Sequence, residues 1–273
     1  MGQDSKNKNN SSNAAGGNEE FKSSYIEGRN SINEALNAGH EINKIWILKP
    51  ADGRRLDPEL GKILNEAKER HIVVVRVNRP VLDKMSTTGN HQGVIAQVSS
   101  HEYADLDDVV AKVKEEGRVP LLLALDEIKD SFNLASLLRI SDAAGVDGII
   151  IPKHRSIALN SIVSKLSAGA IEYIPVARVT NLAQTLRDLK ENHGFWVCGT
   201  DMEGSVPYDK ADYSGPLVIV VGSEGEGMRK GIRSECDFMV HIPMNGHVNS
   251  LNAAVATGII VYEAVKYRRD HSK

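Results

Sequence analysis

The period of apolar positions changes near Val119. Before it, short apolar runs alternate with helical spacing. Ile32, Ala35 and Leu36 share one helix face, and Leu60, Ile63, Leu64 and Ala67 share another. Lys44-Ile-Trp-Ile-Leu48 and Ile72-Val-Val-Val-Arg-Val77 read as short buried strands. Val94-Ile-Ala-Gln-Val98 follows a Gly-Asn-His-Gln-Gly turn and closes the unit. Residues 23–100 therefore predict a small α/β domain. Residues 101–118 predict a charged, amphipathic helix with Leu106, Val109, Val110 and Val113 on one side, either a linker or a helix that covers a domain.

From Val119 the alternation of strand and helix is regular. Leu121–Leu125 is continuously apolar, as in a strand covered on both faces. A helix through Leu134, Leu137, Leu138 and Ala144 stops at Gly145, a residue suited to the left-handed turn that ends helices. Gly148–Ile151 is a strand ended by Pro152, Asn160–Ala168 a helix, and Tyr173–Ala177 a short strand. Thr180 or Asn181 caps a helix through Leu182, Leu186 and Leu189 that ends at Gly194. Phe195–Cys198, Leu217–Val221 and Phe238–Ile242 are strands, and a last helix begins near Ser250 and runs to about Arg268. Such repetition with few hairpin signals predicts an α/β domain with a mostly parallel sheet, and ligands beyond the carboxyl ends of its strands.

Composition refines this picture. Residues 1–22 are rich in Asn, Ser, Gly and Lys, with almost nothing large and apolar before Phe21, and are expected to be a disordered tail. The whole chain is 41% hydrophobic but only 5% aromatic, so the cores must be aliphatic. No apolar run reaches the roughly 18 residues of a membrane span, and the N-terminus lacks the apolar region of a signal peptide. Cys198 and Cys236 are far apart and outside any Cys-x-x-Cys motif, which predicts reduced thiols and a cytoplasmic protein. The nine histidines show no ligand spacing, so no metal is expected. A net charge of −3 leaves no basic footprint. Contact with nucleic acid would have to come from local charge: Lys153, His154, Arg155 and Lys165 in the second region, Arg29 and Lys49 in the first.

Three polar segments each follow a strand. Asp130–Arg139 enters a helix and carries Asn133 and Arg139 six residues apart. Taken alone, Asn133 reads first as a helix cap and Arg139 as a solvated surface charge. Val221-Gly-Ser-Glu224-Gly-Glu-Gly227-Met228 has three glycines in six residues, which lets backbone approach a ligand closely. It lacks the features of a dinucleotide-binding fingerprint or a P-loop. Ile242–Ala256 runs from a strand through a polar loop into a helix that Asn249 or Ser250 is expected to cap.

In this order the three segments resemble the motifs of the SpoU (TrmH-like) family of RNA ribose 2′-O-methyltransferases: Asn133…Arg139, Gly222-Ser-Glu224-Gly-Glu-Gly227, and Ile242-Pro-Met-Asn-Gly246…Ser250-Leu-Asn252. Ile150–Ser156, Gly169–Val176 and Arg178–Leu182 look like the bacterial branch that acts on 23S ribosomal RNA guanosine. Ile26-Glu-Gly-Arg29 and His91-Gln-Gly-Val94 are similar to that branch's L30e-like RNA-binding domain, and the likeness covers roughly residues 24–268. It implies a C-terminal α/β knot, a deep trefoil, over residues 119–273, and a homodimer that binds S-adenosylmethionine in the knot. By resemblance Gly199, Thr200, Gly222, Glu224, Gly225, Ile242, Met244, Ser250 and Leu251 line the cofactor pocket. Asn133, Arg139, Glu224, Ser250 and Asn252 surround the reaction centre. Arg139 is often taken as the base in this family, but a guanidinium gives up its proton only at high cost. Anchoring an RNA phosphate is the more economical role.

The chain departs from the family pattern at Ser131, where Pro is usual, at Ala135, where Gly is usual, at Ile140-Ser141 and at Ala254. Ala135 adds a methyl expected to lie close to the cofactor or the RNA. The rival readings are an RNA-binding ribosome-assembly factor with little turnover, a transfer-RNA methyltransferase, and a small-molecule enzyme with a nucleotide cofactor.

Overall fold

A computed structural model of the chain describes residues 24–50, 55–202, 206–223, 225, 227–248 and 250–271. The expectation for residues 1–22 lies outside the described residues, as do Glu224 and Asn249. The chain divides into two compact units, one of residues up to His101 with Leu159–Ile162, the other of Glu102–Ala158 and Val163 onward.

The first unit contains β1 (Tyr25–Glu27), α1 (Arg29–Asn37), β2 (Ile42–Leu48), α2 (Pro58–Glu69), β3 (Val73–Val77), α3 (Arg79–Met85) and β4 (Val94–Val98). Its sheet runs β1-β4-β2-β3, with β2 and β3 parallel and β4 antiparallel to both its neighbours. Ile32, Leu36, Ile45, Ile47, Ile63 and Ala96 are buried in one core. α2 starts where the sequence carries a cap, an N1 proline and an acid in succession: Asp57 accepts from the Glu59 amide at 3.0 Å, and Pro58 has no amide to satisfy. β1 and α3 are absent from the sequence reading because three and seven residues are too short to display a period.

Glu27, at the end of β1, fixes the loop after α3. Its carboxylate accepts from Thr87 N at 2.6 Å, Thr87 Oγ1 at 2.7 Å, Thr88 Oγ1 at 2.7 Å and Ser86 Oγ at 2.5 Å. Burial opposes its charge, but these bonds outweigh burial and hold its pKa at about 2, below the ordinary 4.5. A depressed carboxyl stabilises the fold fully above its unfolded pKa and loses that contribution as pH falls through the folded one. Glu27→Gln is therefore expected to lower the melting temperature at neutral pH, and the gap to the native protein should close as pH falls from about 4.5 to about 2. Melting curves across that range test this; a gap that ignores pH would remove the assignment.

The second unit contains α4 (Leu106–Glu115), β5 (Leu121–Leu125), α5 (Ser131–Ala144), β6 (Gly148–Pro152), most of α6 (Ser161–Leu166), β7 (Val176–Val179), α7 (Leu182–His193), β8 (Trp196–Thr200), β9 (Val206–Pro207), β10 (Leu217–Val221), α8 (Lys230–Arg233), β11 (Phe238–His241) and α9 (Ala253–His271). Its seven strands run β7-β6-β5-β10-β8-β11-β9, and every described pairing is parallel. β5, β6 and β10 are buried at every position, which is why their runs are continuously apolar. Leu122, Ala124, Val218 and Val220 face Val110 of α4, Leu186 and Leu189 of α7 and Ile232 of α8. α5 packs against α9; α5 also touches β6, and α9 touches β10.

Boundaries shift for local reasons. The predicted strand at Tyr173–Ala177 begins only at Val176, because Ala170–Glu172 is a 3₁₀ turn and Pro175 has no amide for the ladder. The predicted helix to Ala168 stops at Leu166, where the chain approaches two left-handed residues, Ala168 (φ 51°) and Gly169 (φ 89°). Gly145 (φ 74°) and Gly194 (φ 71°) end α5 and α7 as expected. Asn181 is the cap of α7, accepting from Gln184 N at 3.2 Å. The last helix opens at Ala253 rather than near Ser250, and its cap is Asn252, accepting from Ala254 N at 3.0 Å and Val255 N at 3.2 Å. At its far end Arg268 donates to the carbonyls of Val119, Pro120, Tyr213 and Gly215, and so pins α9 to the amino ends of β5 and β10.

Candidate active site

The registers of the parallel strands bring the second and third polar segments to one sheet edge. Val220 pairs with Gly199, and Val240 with Thr200, so Thr200, Gly222 and Ile242 stand at the carboxyl ends of three adjacent strands, β8, β10 and β11. Thr200 Oγ1 donates to Val220 O at 3.0 Å and ties two of these ends together. Gly199 lies one position inside the sheet. A Cβ there would sit 2.4 Å from Met239 Sδ and 2.8 Å from Cys236 Sγ, so a side chain at this position would have to displace Met239 and Cys236.

The glycine segment after β10 is a closed loop. Ser223 and Gly227 exchange two backbone hydrogen bonds of 3.0 Å, and Ser223 Oγ also donates to Gly227 O at 3.2 Å. Gly225 and Gly227 turn the chain with φ of 84° and 68°, a region costly for other residues. Gly222 faces the returning strand of the loop: a Cβ would lie 2.5 Å from Gly227 C and from Met228 N. Beyond Gly225 there is open space. Glu224 lies outside the described residues.

The exit of this loop is clamped by groups the sequence reading passed over. Asp126, directly after β5 and fully buried, accepts from Arg229 N at 2.9 Å and Arg229 Nε at 2.7 Å. Its own amide donates to Val221 O at 2.7 Å, so it joins the ends of β5 and β10. Glu127 sits beside it, ion-paired to Lys129, Arg155 and Arg229 at 3.2, 3.4 and 3.5 Å. An acid that ends an all-apolar strand was the available signal. A buried charge is tolerated only when paired, and its partner is 103 residues away.

The first and third segments meet at two asparagines. Asn252 turns its Oδ1 to the first amides of α9, which fixes the orientation of the amide group. Its Nδ2 then donates to Asn133 Oδ1 at 2.9 Å. Asn133 is not the cap of α5: Asp130 is, accepting from Asn133 N at 3.1 Å. Freed from capping, Asn133 is a buried helix residue held by Asn252. Met244 and Leu251 are half-buried and Ser250 exposed in the segment between β11 and α9.

Arg139 has no hydrogen bond to this pair among the described residues. It is exposed and lines a groove with Ser136, Ala143 and Tyr262, and no acid is paired with it among the described residues. Ala135 is buried on α5, and Ile140 packs on Gly258 of α9. His154 and Arg155 are exposed beyond β6, with Lys153 half-buried beside them and Lys165 at the end of α6. Arg29 has different company: its guanidinium meets Glu59 at 2.7 Å, Asp57 at 3.0 Å and Gln92 O at 3.2 Å, so its charge is largely spent inside the first unit. Burial raises the thiol of Cys198, and that of Cys236 to about 12, which leaves both protonated and inert at neutral pH. No group of three His, Cys, Asp or Glu among the described residues is placed to hold a metal ion, and no described helix is long and apolar enough to cross a membrane.

Residues 120–262 match the SpoU rRNA Methylase family, and residues 25–104 match the RNA 2′-O ribose methyltransferase substrate binding family. A Staphylococcus haemolyticus protein bearing a TrmH family tRNA/rRNA methyltransferase name is 46% identical over 246 residues, 90% of this chain and 96% of its own. A Bacillus subtilis protein with the same family name is 43% identical over 244 residues, 89% and 96% of the two chains. The AdoMet-bound rRNA methyltransferase from Sinorhizobium meliloti superposes with a TM-score of 0.55 at 28% identity, covering 91% of this chain and 88% of that one.

Proposed function

The chain belongs to the SpoU rRNA Methylase family, and from that premise we propose that it methylates the ribose 2′-hydroxyl of a guanosine in 23S ribosomal RNA, using S-adenosylmethionine. The observation that carries the reading is the Asn133–Asn252 hydrogen bond. It joins two motifs 119 residues apart, in a unit of the parallel kind that binds ligands beyond the carboxyl ends of its strands, where Thr200, Gly222 and Ile242 stand.

The residues at these strand ends suit the cofactor. Backbone of the glycine loop and of Thr200 offers polar groups for adenine, half-buried Ile242, Met244 and Leu251 offer apolar cover, and the space beyond Gly225 is open. Bound there, S-adenosylmethionine supplies an electrophilic methyl on a sulfonium. Much of the rate then comes from holding the ribose oxygen in line with that methyl. Asn133 and Asn252 hold the ribose, and Ser250 and Glu224 complete the surroundings of the hydroxyl. The hydroxyl must lose its proton as it attacks. Arg139, exposed and with no acid paired to it among the described residues, anchors the neighbouring phosphate, which accepts that proton. The first unit binds the RNA.

The second unit is a deep trefoil, and the protein works as a homodimer in the cytoplasm. Val255 and Tyr262, seven residues apart on α9, and Phe132 on α5 expose apolar surface on the paired helices, and a second copy would cover it.

Incubation with S-adenosylmethionine carrying a radiolabelled methyl, and with ribosomal and transfer RNA from cells lacking their own ribose methylation, tests the reading. Label is expected in 23S RNA at one ribose, where the chain resists alkali. Label in transfer RNA alone would reassign the substrate. Cofactor binding without label in either RNA would favour the assembly factor.

A further inference from the structure

A crevice lies at the carboxyl edge of the same sheet, on the side away from β8 and β11. It has a volume of about 230 Å³ and is lined by His154 and Arg155 beyond β6, Thr180 and Asn181 beyond β7, and Arg229 and Ile232 around α8. That is smaller than the roughly 300–1,000 Å³ of pockets that bury a whole small molecule, and it suits one group of a larger ligand. Resting on the RNA reading above, we infer that this crevice holds a backbone phosphodiester of the RNA substrate, away from the methylated ribose.

Charge is layered to suit an anion. Asp126 and Glu127 are buried at the back, 0% and 7% exposed, while three cations, Lys129, Arg155 and Arg229, stand in front of them. The layer facing solvent is therefore positive, and the carboxylates fix the guanidinium of Arg229 rather than close the crevice. Burial works against the charge of Glu127, but its hydrogen bonds with Lys129 and Arg155 prevail and hold its carboxyl below the ordinary range.

Two further features point the same way. α7 begins at the crevice, and its twelve residues aim the positive end of their dipole there. Asn181 satisfies the amide of Gln184, so the amides of Leu182 and Ala183, both in the lining, have no acceptor within the helix. Glu127 and Arg155 also both adopt φ of 62° just beyond adjacent strands. Left-handed backbone is costly for these residue types, and such cost persists where a site requires the side chain.

That last feature gives a discriminating variant. Arg155→Gly relieves the backbone and leaves Glu127 paired with Lys129 and Arg229, so the melting temperature should hold or rise. Its affinity for a 23S RNA transcript should nevertheless fall about tenfold, with S-adenosylmethionine affinity unchanged. The slope of log K against log salt should shrink by about one counterion. Arg155→Lys, which keeps the charge, should recover most of the loss. Transcript affinity and salt slope equal to the native protein's in Arg155→Gly would overturn the inference. So would Arg155-dependent binding of inorganic phosphate with RNA affinity intact, since the crevice would then serve a free anion. If the native protein binds neither 23S nor transfer RNA, the RNA reading itself fails and takes this inference with it.

Discussion

Gly222→Ala is expected to weaken S-adenosylmethionine binding by about ten- to a hundredfold, the equivalent of about 1–3 kcal/mol of overpacking. The new methyl would stand 2.5 Å from two backbone atoms, Gly227 C and Met228 N, and neither can step aside as a flexible side chain would. The Ser223–Gly227 bonds hold the loop shut, Met228 is buried behind it, and the next amide is bound to Asp126. Relief therefore requires opening the loop, and the loop is part of the proposed cofactor site. Gly225→Ala is the contrast. It meets nothing within 4 Å and suffers only its left-handed φ, so its effect should be several-fold smaller. Calorimetric titration of both variants with the cofactor decides the matter. Native affinity in Gly222→Ala would place the cofactor elsewhere.

Asn252→Asp should separate two roles that one side chain fills. As the cap of α9, aspartate serves as well as asparagine, and its charge suits the helix start, so thermal stability should be kept. As the partner of Asn133 it fails, because a carboxylate has no hydrogen to donate to Asn133 Oδ1. Losing that donor at a buried acceptor should cost about ten- to a hundredfold in kcat/KM. Asn252→Ala removes both roles and should lose stability by about 1 kcal/mol as well. If Asn252→Asp turned over like the native enzyme, the hydrogen bond would be a packing detail and Asn133 would need another positioning partner.

What could be read from the chain depended on how local its cause was. Gly145, Gly194 and the cap at Asn181 act through their own φ or their own third amide, and each stands where the pattern put it. The continuous apolar runs of β5 and β10 declared strands covered on both faces. Which asparagine would cap α9 was not legible, since Asn249, Ser250 and Asn252 all have the chemistry. The choice falls to Asn252, whose amide is also bound to Asn133 across the unit. The Asp126–Arg229 clamp and the acids that absorb the charge of Arg29 are likewise invisible to any window of sequence. The motifs singled out Asn133 and Asn252, which the fold joins by a hydrogen bond; periodicity by itself gave only strand ends followed by polar loops.

β10 pairs with β5 on one side and β8 on the other, and no other described strand joins the two halves of the sheet. It is also made late. As the chain leaves the ribosome, β5, β6 and β7 can assemble from the first half of the unit, yet the inner edge of β5 stays open until Leu217–Val221 has emerged. That edge, Leu-Leu-Leu-Ala-Leu, is the kind of bare apolar strand that recruits a neighbouring chain. Nascent chains of this protein thus pass through a sticky interval set by strand order rather than by composition, which makes speed of elongation through residues 126–216, and any chaperone that shields them, part of what determines yield.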